Sequence, residues 1–279
     1  MKKLLICLIV LSVLMVGCTK EEKLNIEDLR LGGDTWVKTE LDNWLDEHFT
    51  VPYNIQVKYK WDRSEVNMDK TLVPPLESKV KPVMEAMEHV WIKPYVAVKG
   101  ETFMKVMSQK QFVLVGSPEY NSNGTIVLGQ AEGGKKVTLF VVNNFEKSNK
   151  VEVKRMLKTM HHEFGHILHQ KKMFTPAYAL ITPDGYDATW FNYEDDEVLE
   201  LGFISAYARN TVEDDFVEML AIMLTDGKTA FEARVNSAGP GTAALRAKEA
   251  IIRSYLKETW DIDLDQLQTV TQEAINSLK

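Results

Sequence analysis

The sequence predicts an α+β fold, with a mixed sheet in its first half and a mostly helical C-terminal half. Three observations carry that expectation. Residues Asn54 to Trp61 alternate, with Ile55, Val57, Tyr59 and Trp61 on one face and Gln56, Lys58 and Lys60 on the other, the period of a half-buried strand. Three more strand candidates follow close together, Gln111 to Gly116, Thr125 to Gly129 and Lys136 to Val142. Turn signals separate them at Ser117-Pro118, Asn121 to Gly124 and Gly133-Gly134. From Glu152 onward the apolar pattern is mostly helical, and strands first with helices afterwards is the α+β order.

The first residues are a leader. Lys2 and Lys3 precede an apolar run from Leu4 to Val16, too short to span a bilayer and of the length of a signal-peptide core. Leu14-Met15-Val16-Gly17-Cys18 resembles a bacterial lipobox, with Met15 a less usual residue three before the cysteine. Residues 1–17 are then a lipoprotein signal peptide, and Cys18 is the acylated lipid anchor of an exported, outer-membrane lipoprotein, on its periplasmic or cell-surface face. An ordinary signal peptide with a chance cysteine is the alternative. Cys7 and Cys18 are the two cysteines of the chain, so the exported part has no disulfide and depends on a packed core. Residues 18–30 form a polar tether; its Lys20-Glu21-Glu22 resembles a surface-export signal or is simply solvated.

Residues 31–279 are expected to form one domain, with a sheet part to about 145 and a helical catalytic part from about 150. Trp36, Leu41, Trp44 and Leu45 place an amphipathic helix over Asp34 to Phe49. Beyond Pro74-Pro75, the positions Val80, Val83, Met84, Met87 and Trp91 predict a helix ending near Pro94. After Gly241 two more helices close the domain, one with Leu245, Ile251, Ile252 and Leu256 and one with Leu264, Leu267, Val270 and Ile275. The net charge of −7 excludes the basic stripe of a nucleic-acid binder.

The chemistry concentrates in His161-His162-Glu163-Phe164-Gly165-His166-Ile167-Leu168-His169. Val153, Met156, Leu157, Met160, Phe164 and Ile167 set a helix from about Lys150 to Gln170. His162 and His166, four apart, leave one face and can converge on a single Zn2+. Glu163, beside the first histidine, can reach the attacking water without ligating, as in a zincin helix. Gly165 costs the helix about 1 kcal/mol against alanine, which points to a packing reason. His169 lies about 10 Å along the axis from His162, too far to share the ion. His161 and His169 are therefore expected beside a ligand or at the surface. The glycine and histidine that a metzincin needs at 169 and 172 are absent. A third ligand is expected from the acids crowding the first turn of a helix near Phe216, although such acids also complement a helix N-terminus.

His-Glu-Phe-Gly-His, followed by Tyr207, seven residues, an acid, and then Phe216-x-Glu218, resembles the gluzincin peptidases related to anthrax lethal factor. The likeness is closer to the zinc metallopeptidase lipoproteins of TonB-dependent, SusD-type nutrient import systems. It covers roughly residues 150 to 225 and the leader. The resemblance implies that His162 and His166 hold zinc, that Glu163 is the general base and that Tyr207 stabilises the transition state. It puts the third ligand at Asp214, where the family has glutamate; Glu213 is the alternative if the helix shifts. Glu218 matches an acid that orients a ligand histidine.

The expected activity is hydrolysis of a peptide or protein substrate by zinc-activated water, with a TonB-linked importer as a possible partner. A zinc-binding lipoprotein that captures nutrients, or a zinc amidohydrolase acting on cell-wall peptide or glycopeptide, are the competing readings. The strand from Val137 to Val142 reads as a buried strand or, alternatively, as an edge strand that pairs with an extended peptide.

Overall fold

The computed structural model describes residues 37–279 apart from 123, 128, 133 and 134, and the side chains of 131 and 132. The leader, Cys18, the tether and Trp36 lie outside the described residues. Residues 39–279 cluster as one unit. Thr39 opens helix α1 (Glu40–Leu45) with a capping box: its hydroxyl accepts from the Asp42 N–H, and its own N–H donates to the Asp42 carboxylate. The run continues through a π turn, Asp46–Thr50, to a left-handed Asn54.

Strand β1 (Gln56–Lys58) follows; Ile55 and Tyr59 are buried as the alternation requires, while Trp61 is exposed. Helix α2 (Glu77–Met87) passes through a π turn, Glu88–Ile92, into α3 (Lys93–Lys99). The expected stop at Pro94 therefore does not occur. The Lys93 N–H donates to the Glu88 carbonyl, five residues back, so Pro94 falls at the start of a new helical register, where a missing N–H costs little. Gly100, at φ 80°, turns the chain into α4 (Glu101–Met107).

Strands β2 (Gln111–Leu114), β3 (Glu119–Tyr120), β4 (Ile126–Val127), β5 (Gly129–Glu132) and β6 (Lys136–Leu139) complete the β part. The main sheet runs β1-β2-β6-β5. The first three are parallel and β5 is antiparallel to β6, so the sheet is mixed, as predicted; β3 and β4 form a separate antiparallel pair. Of the two readings of Val137 to Val142, the buried strand is correct. β6 lies between β2 and β5, with Val137 and Leu139 in the core. Among the described residues the edges are β1 and β5, and β5 runs antiparallel to β6 because their short connection can only return that way.

Both sheet faces are covered. Phe112, Leu114, Val137 and Leu139 join the main core, and Val113, Val115 and Phe140 join a small second cluster. Helix α5 (Lys150–Lys171), capped by the Asn149 side chain, crosses the main core with the predicted apolar positions buried. Trp91, Tyr95 and Phe103 meet Phe164 edge-on, at ring-centroid distances of 5.5, 4.9 and 6.2 Å, and fix the rear of α5. Helices α6 (Asp195–Glu200), α7 (Val212–Asp226), α8 (Lys228–Ser237), α9 (Thr242–Ser254) and α10 (Leu264–Ser277) form the C-terminal half. Helix α7 packs directly on α5 at Gly165, where a Cβ would stand 2.8 Å from Val217 Cγ1, which is the packing reason the glycine implied. No described helix is long and apolar enough to cross a membrane.

Candidate metal centre

One turn of α5 aims His162 and His166 the same way, and the first turn of α7 brings Asp214 to meet them. His162 Nε2 lies 3.2 Å from His166 Nε2, and Asp214 Oδ1 lies 3.5 and 3.3 Å from those two nitrogens. A tetrahedral ion with ligand bonds of about 2.0–2.1 Å spaces its ligand atoms about 3.3–3.4 Å apart. The triangle therefore has the size of one face of a zinc tetrahedron, and two histidines with one carboxylate is the donor set of an open zinc site. Glu213, the alternative ligand, is exposed.

Local sequence explains how Asp214 is held. Thr211 caps α7 by accepting from the Asp214 N–H at 3.0 Å, and its hydroxyl donates to Asp214 Oδ2 at 2.8 Å. Asn210 Nδ2 donates to the same oxygen at 2.7 Å. Oδ2 is thus occupied and Oδ1 is left for the ion. Burial would raise this carboxyl, but the hydrogen bonds from His162, His166 and Thr211 hold it far below the usual carboxylate range.

Glu218, one turn further along α7, accepts at Oε2 from His162 Nδ1 at 3.2 Å. That bond turns the Nε2 lone pair towards the ligand triangle. The other oxygen, Oε1, receives the Ser205 hydroxyl at 2.9 Å and lies 2.5 Å from Lys158 Nζ. Burial would raise the Glu218 carboxyl, yet the Lys158 charge and the His162 hydrogen bond keep it low. In the same way burial disfavours protonated His162, while Asp214 and Glu218 raise its pKa to about 9 in the metal-free site.

Glu163 and Tyr207 line the same cleft as His162, a space of about 320 Å³. Tyr207 sits in a 3₁₀ turn, Tyr207–Arg209, with its ring 5.5 Å from that of His162 and edge-on to Trp190 at 4.9 Å. Burial first, and then the negative charges of Asp214, Glu163 and Glu218, push its phenol well above the ordinary range. The structure thus brings together His162, Glu163, His166, Tyr207, Asp214 and Glu218. The Ile126 and Val127 side of the cleft comes from β4, and Gly129 of β5 packs over Thr159 of α5.

Other residues of the site carried no sequence reading. Lys158 lies four residues before His162, on the same helix face, and that spacing was its signal. Ser205, Asn210 and Thr211 had none beyond nearness to α7. His161 and His169 depart from the expectation. His161 is fully buried against Tyr95, its Nδ1 3.1 Å from the phenol oxygen, and burial drops its pKa to about 3. Its helix position turns it a hundred degrees from His162, into the core. His169 is buried too and accepts the Phe174 N–H at 3.3 Å, which fastens the chain leaving α5.

A family model described as "Putative zinc-binding metallo-peptidase" matches residues 34–265. A crystal structure of a protein from Bacteroides caccae, described in the same words, shares 33% identity with a TM-score of 0.73, covering 88% of this chain and 97% of that one. No curated protein matches the chain. With the ligand triangle in place and a match that spans both α5 and α7, the chain belongs to this family of zinc-binding metallo-peptidases.

Proposed function

We infer that the protein is a zinc-dependent peptidase in which Glu163 is the general base. The observation that carries this reading is the open side of the ligand triangle: His162, His166 and Asp214 leave a fourth position facing a cleft lined by Glu163 and Tyr207. His162, His166 and Asp214 would hold zinc, which would supply Lewis acidity and bring the pKa of a water towards about 7. Glu163 takes the proton of the water that attacks the scissile carbonyl and returns it to the leaving amine. The Tyr207 phenol keeps its proton, because its buried, acid-flanked position disfavours phenolate, and donates it as a hydrogen bond to the developing oxyanion. Glu218, braced by Ser205 and Lys158, holds the His162 ring. The side of β5 that no described strand pairs with offers backbone groups to an extended substrate.

The leader supports a location: acylated at Cys18, the protein is anchored at the outer membrane and works beside a TonB-linked, SusD-type importer, trimming peptides for uptake. Mass spectrometry of the mature N-terminus tests the anchor, and an unmodified N-terminus or one cut elsewhere refutes it. For the activity, zinc content and peptide-library cleavage are measured for the wild type and Glu163→Gln. One zinc in each with cleavage only in the wild type supports the reading. Zinc without cleavage in either favours nutrient capture, and a wild type that takes up no zinc on reconstitution overturns the metal centre.

A further inference from the structure

The part of the cleft towards the N-terminal end of α5 carries hydrogen-bond donors on cations that the catalytic residues do not fully use. Arg155, Lys158 and His162, at i, i+3 and i+7, share one face of the helix, and all three line the cleft. Lys158 is 39% exposed at its side chain and gives Glu218 one contact, which leaves two of its three N–H donors for a ligand. Arg155 uses Nε and Nη2 on a single oxygen of Glu152, and Glu152 is not among the residues lining the cleft. Its Nη1 edge has no hydrogen bond among the described residues. Each cation already meets one carboxylate, Lys158 the buried Glu218 and Arg155 the Glu152 outside the cleft lining, and Glu218 is further bonded to His162 and Ser205. Two cations lining one cleft, each with donors that its own carboxylate does not use, offer hydrogen bonds to an anion.

The helix also sets how far that anion sits from the reacting bond. Lys158 and Arg155 precede His162 by four and seven residues, about 6 and 10 Å along the axis. An extended peptide advances about 3.3 Å per residue, so those distances correspond to two to three residues. Resting on the peptidase reading of the same cleft, we propose that Arg155 and Lys158 form a carboxylate subsite that selects peptides with a negative charge two to three residues to one side of the scissile bond. A Glu or Asp side chain and the free C-terminal carboxylate of a short peptide present the same chemistry, and Arg155 suits either through its planar fork.

The test is a matched set of peptides: Glu against Gln at each position flanking the cleavage point, and free-acid against amidated C-termini. We expect the wild type to prefer the charged member at one position by about ten- to a hundredfold in kcat/KM, mainly through KM. The position and form of that preference tell a side-chain carboxylate from a terminal one. Arg155→Glu should reverse it, with the charged peptide losing and a Lys-bearing peptide gaining. Cleavage of all members at equal rates, or a preference that Arg155→Glu leaves intact, overturns the subsite while the peptidase stands. If the wild type cleaves nothing, the same peptides are titrated against zinc-loaded Glu163→Gln protein. Tighter binding of the charged member, lost in Glu163→Gln/Arg155→Glu, keeps the subsite although the peptidase reading has failed; equal binding removes both.

Discussion

Asp214 and Asp215 are neighbours on the first turn of α7, and they show two ways for a protein to bury a carboxylate. Asp214 faces the cleft. Short local side chains hold one of its oxygens, and the other points at two histidines. Asp215 faces the core and meets Lys248 of α9 at 2.6 Å, with neither side chain exposed to solvent. Lys248 also donates to the Gly202 carbonyl at 2.8 Å and lies 3.9 Å from the centre of the Phe203 ring, and Tyr186 donates to Asp215 at 3.1 Å. Burial outweighs that lysine and raises the Asp215 pKa to about 6, whereas Asp214 stays low. The first carboxylate has its compensating charge supplied from outside, by an ion; the second carries it permanently. Function and stability are thereby separated on adjacent residues.

That separation can be broken from either side. Asp214→Ala should lower zinc affinity by more than the roughly 10–100-fold typical of losing an outer partner, while the melting temperature of the metal-free protein changes little above about pH 9, where His162 is neutral and no longer pairs with it. Lys248→Met should do the reverse. It leaves a buried carboxylate uncompensated, a loss of about 3–5 kcal/mol. In a chain of this length that is a melting temperature lower by about 6–20 °C by calorimetry, with zinc stoichiometry retained. Lys248→Met combined with Asp215→Leu should recover most of the loss; if it does not, the pair is more than charge compensation.

Glu218→Gln should weaken zinc about 10–100-fold, read by competition with a chelating dye, because the His162 ring loses its anionic acceptor. Acidity sharpens the contrast further. In the metal-free protein the His162 pKa is raised from 6.5 to about 9. Its protonation contributes stability that is complete below about 6.5 and is lost as pH rises through about 9. Zinc needs the neutral ring, so the gain in melting temperature on adding zinc should grow between pH 6.5 and 9. A gain that is flat or falling over that window would show that His162 is not the titrating ligand. The smallest effect is expected for Thr211→Ala: about 1 kcal/mol from the lost cap, with zinc affinity reduced only a few-fold while Asn210 still holds Asp214.

What could be read from the sequence was local. Helix α5, with its period and its paired histidines, is encoded within twenty-two residues, and its bounds and face agree with the structure. Asp214 came from a resemblance, because nothing within the acidic first turn of α7 marks which carboxylate points inward. The order of the strands depends on pairings distant in sequence, so whether β6 is buried or at an edge stayed open until β5 was seen beside it. Lys248 had a signal that went unused: it stands between Leu245 and Ile252 on the buried stripe of α9, where a lysine needs a buried acid. Pro94 misled because a π turn reset the helix in front of it.

Gly165 leads to one further consequence. The missing methyl group there lets the backbone of α5 approach Val217 of α7, and that approach fixes how far Asp214 stands from the two histidines. An ion with ligand bonds near 2.0–2.1 Å fits the resulting span, while calcium, which takes oxygen at about 2.3–2.6 Å, would have to drive the helices apart. The selection between metals thus rests on the two imidazole donors and, behind them, on a missing methyl group in the seam between two helices, one residue from His166.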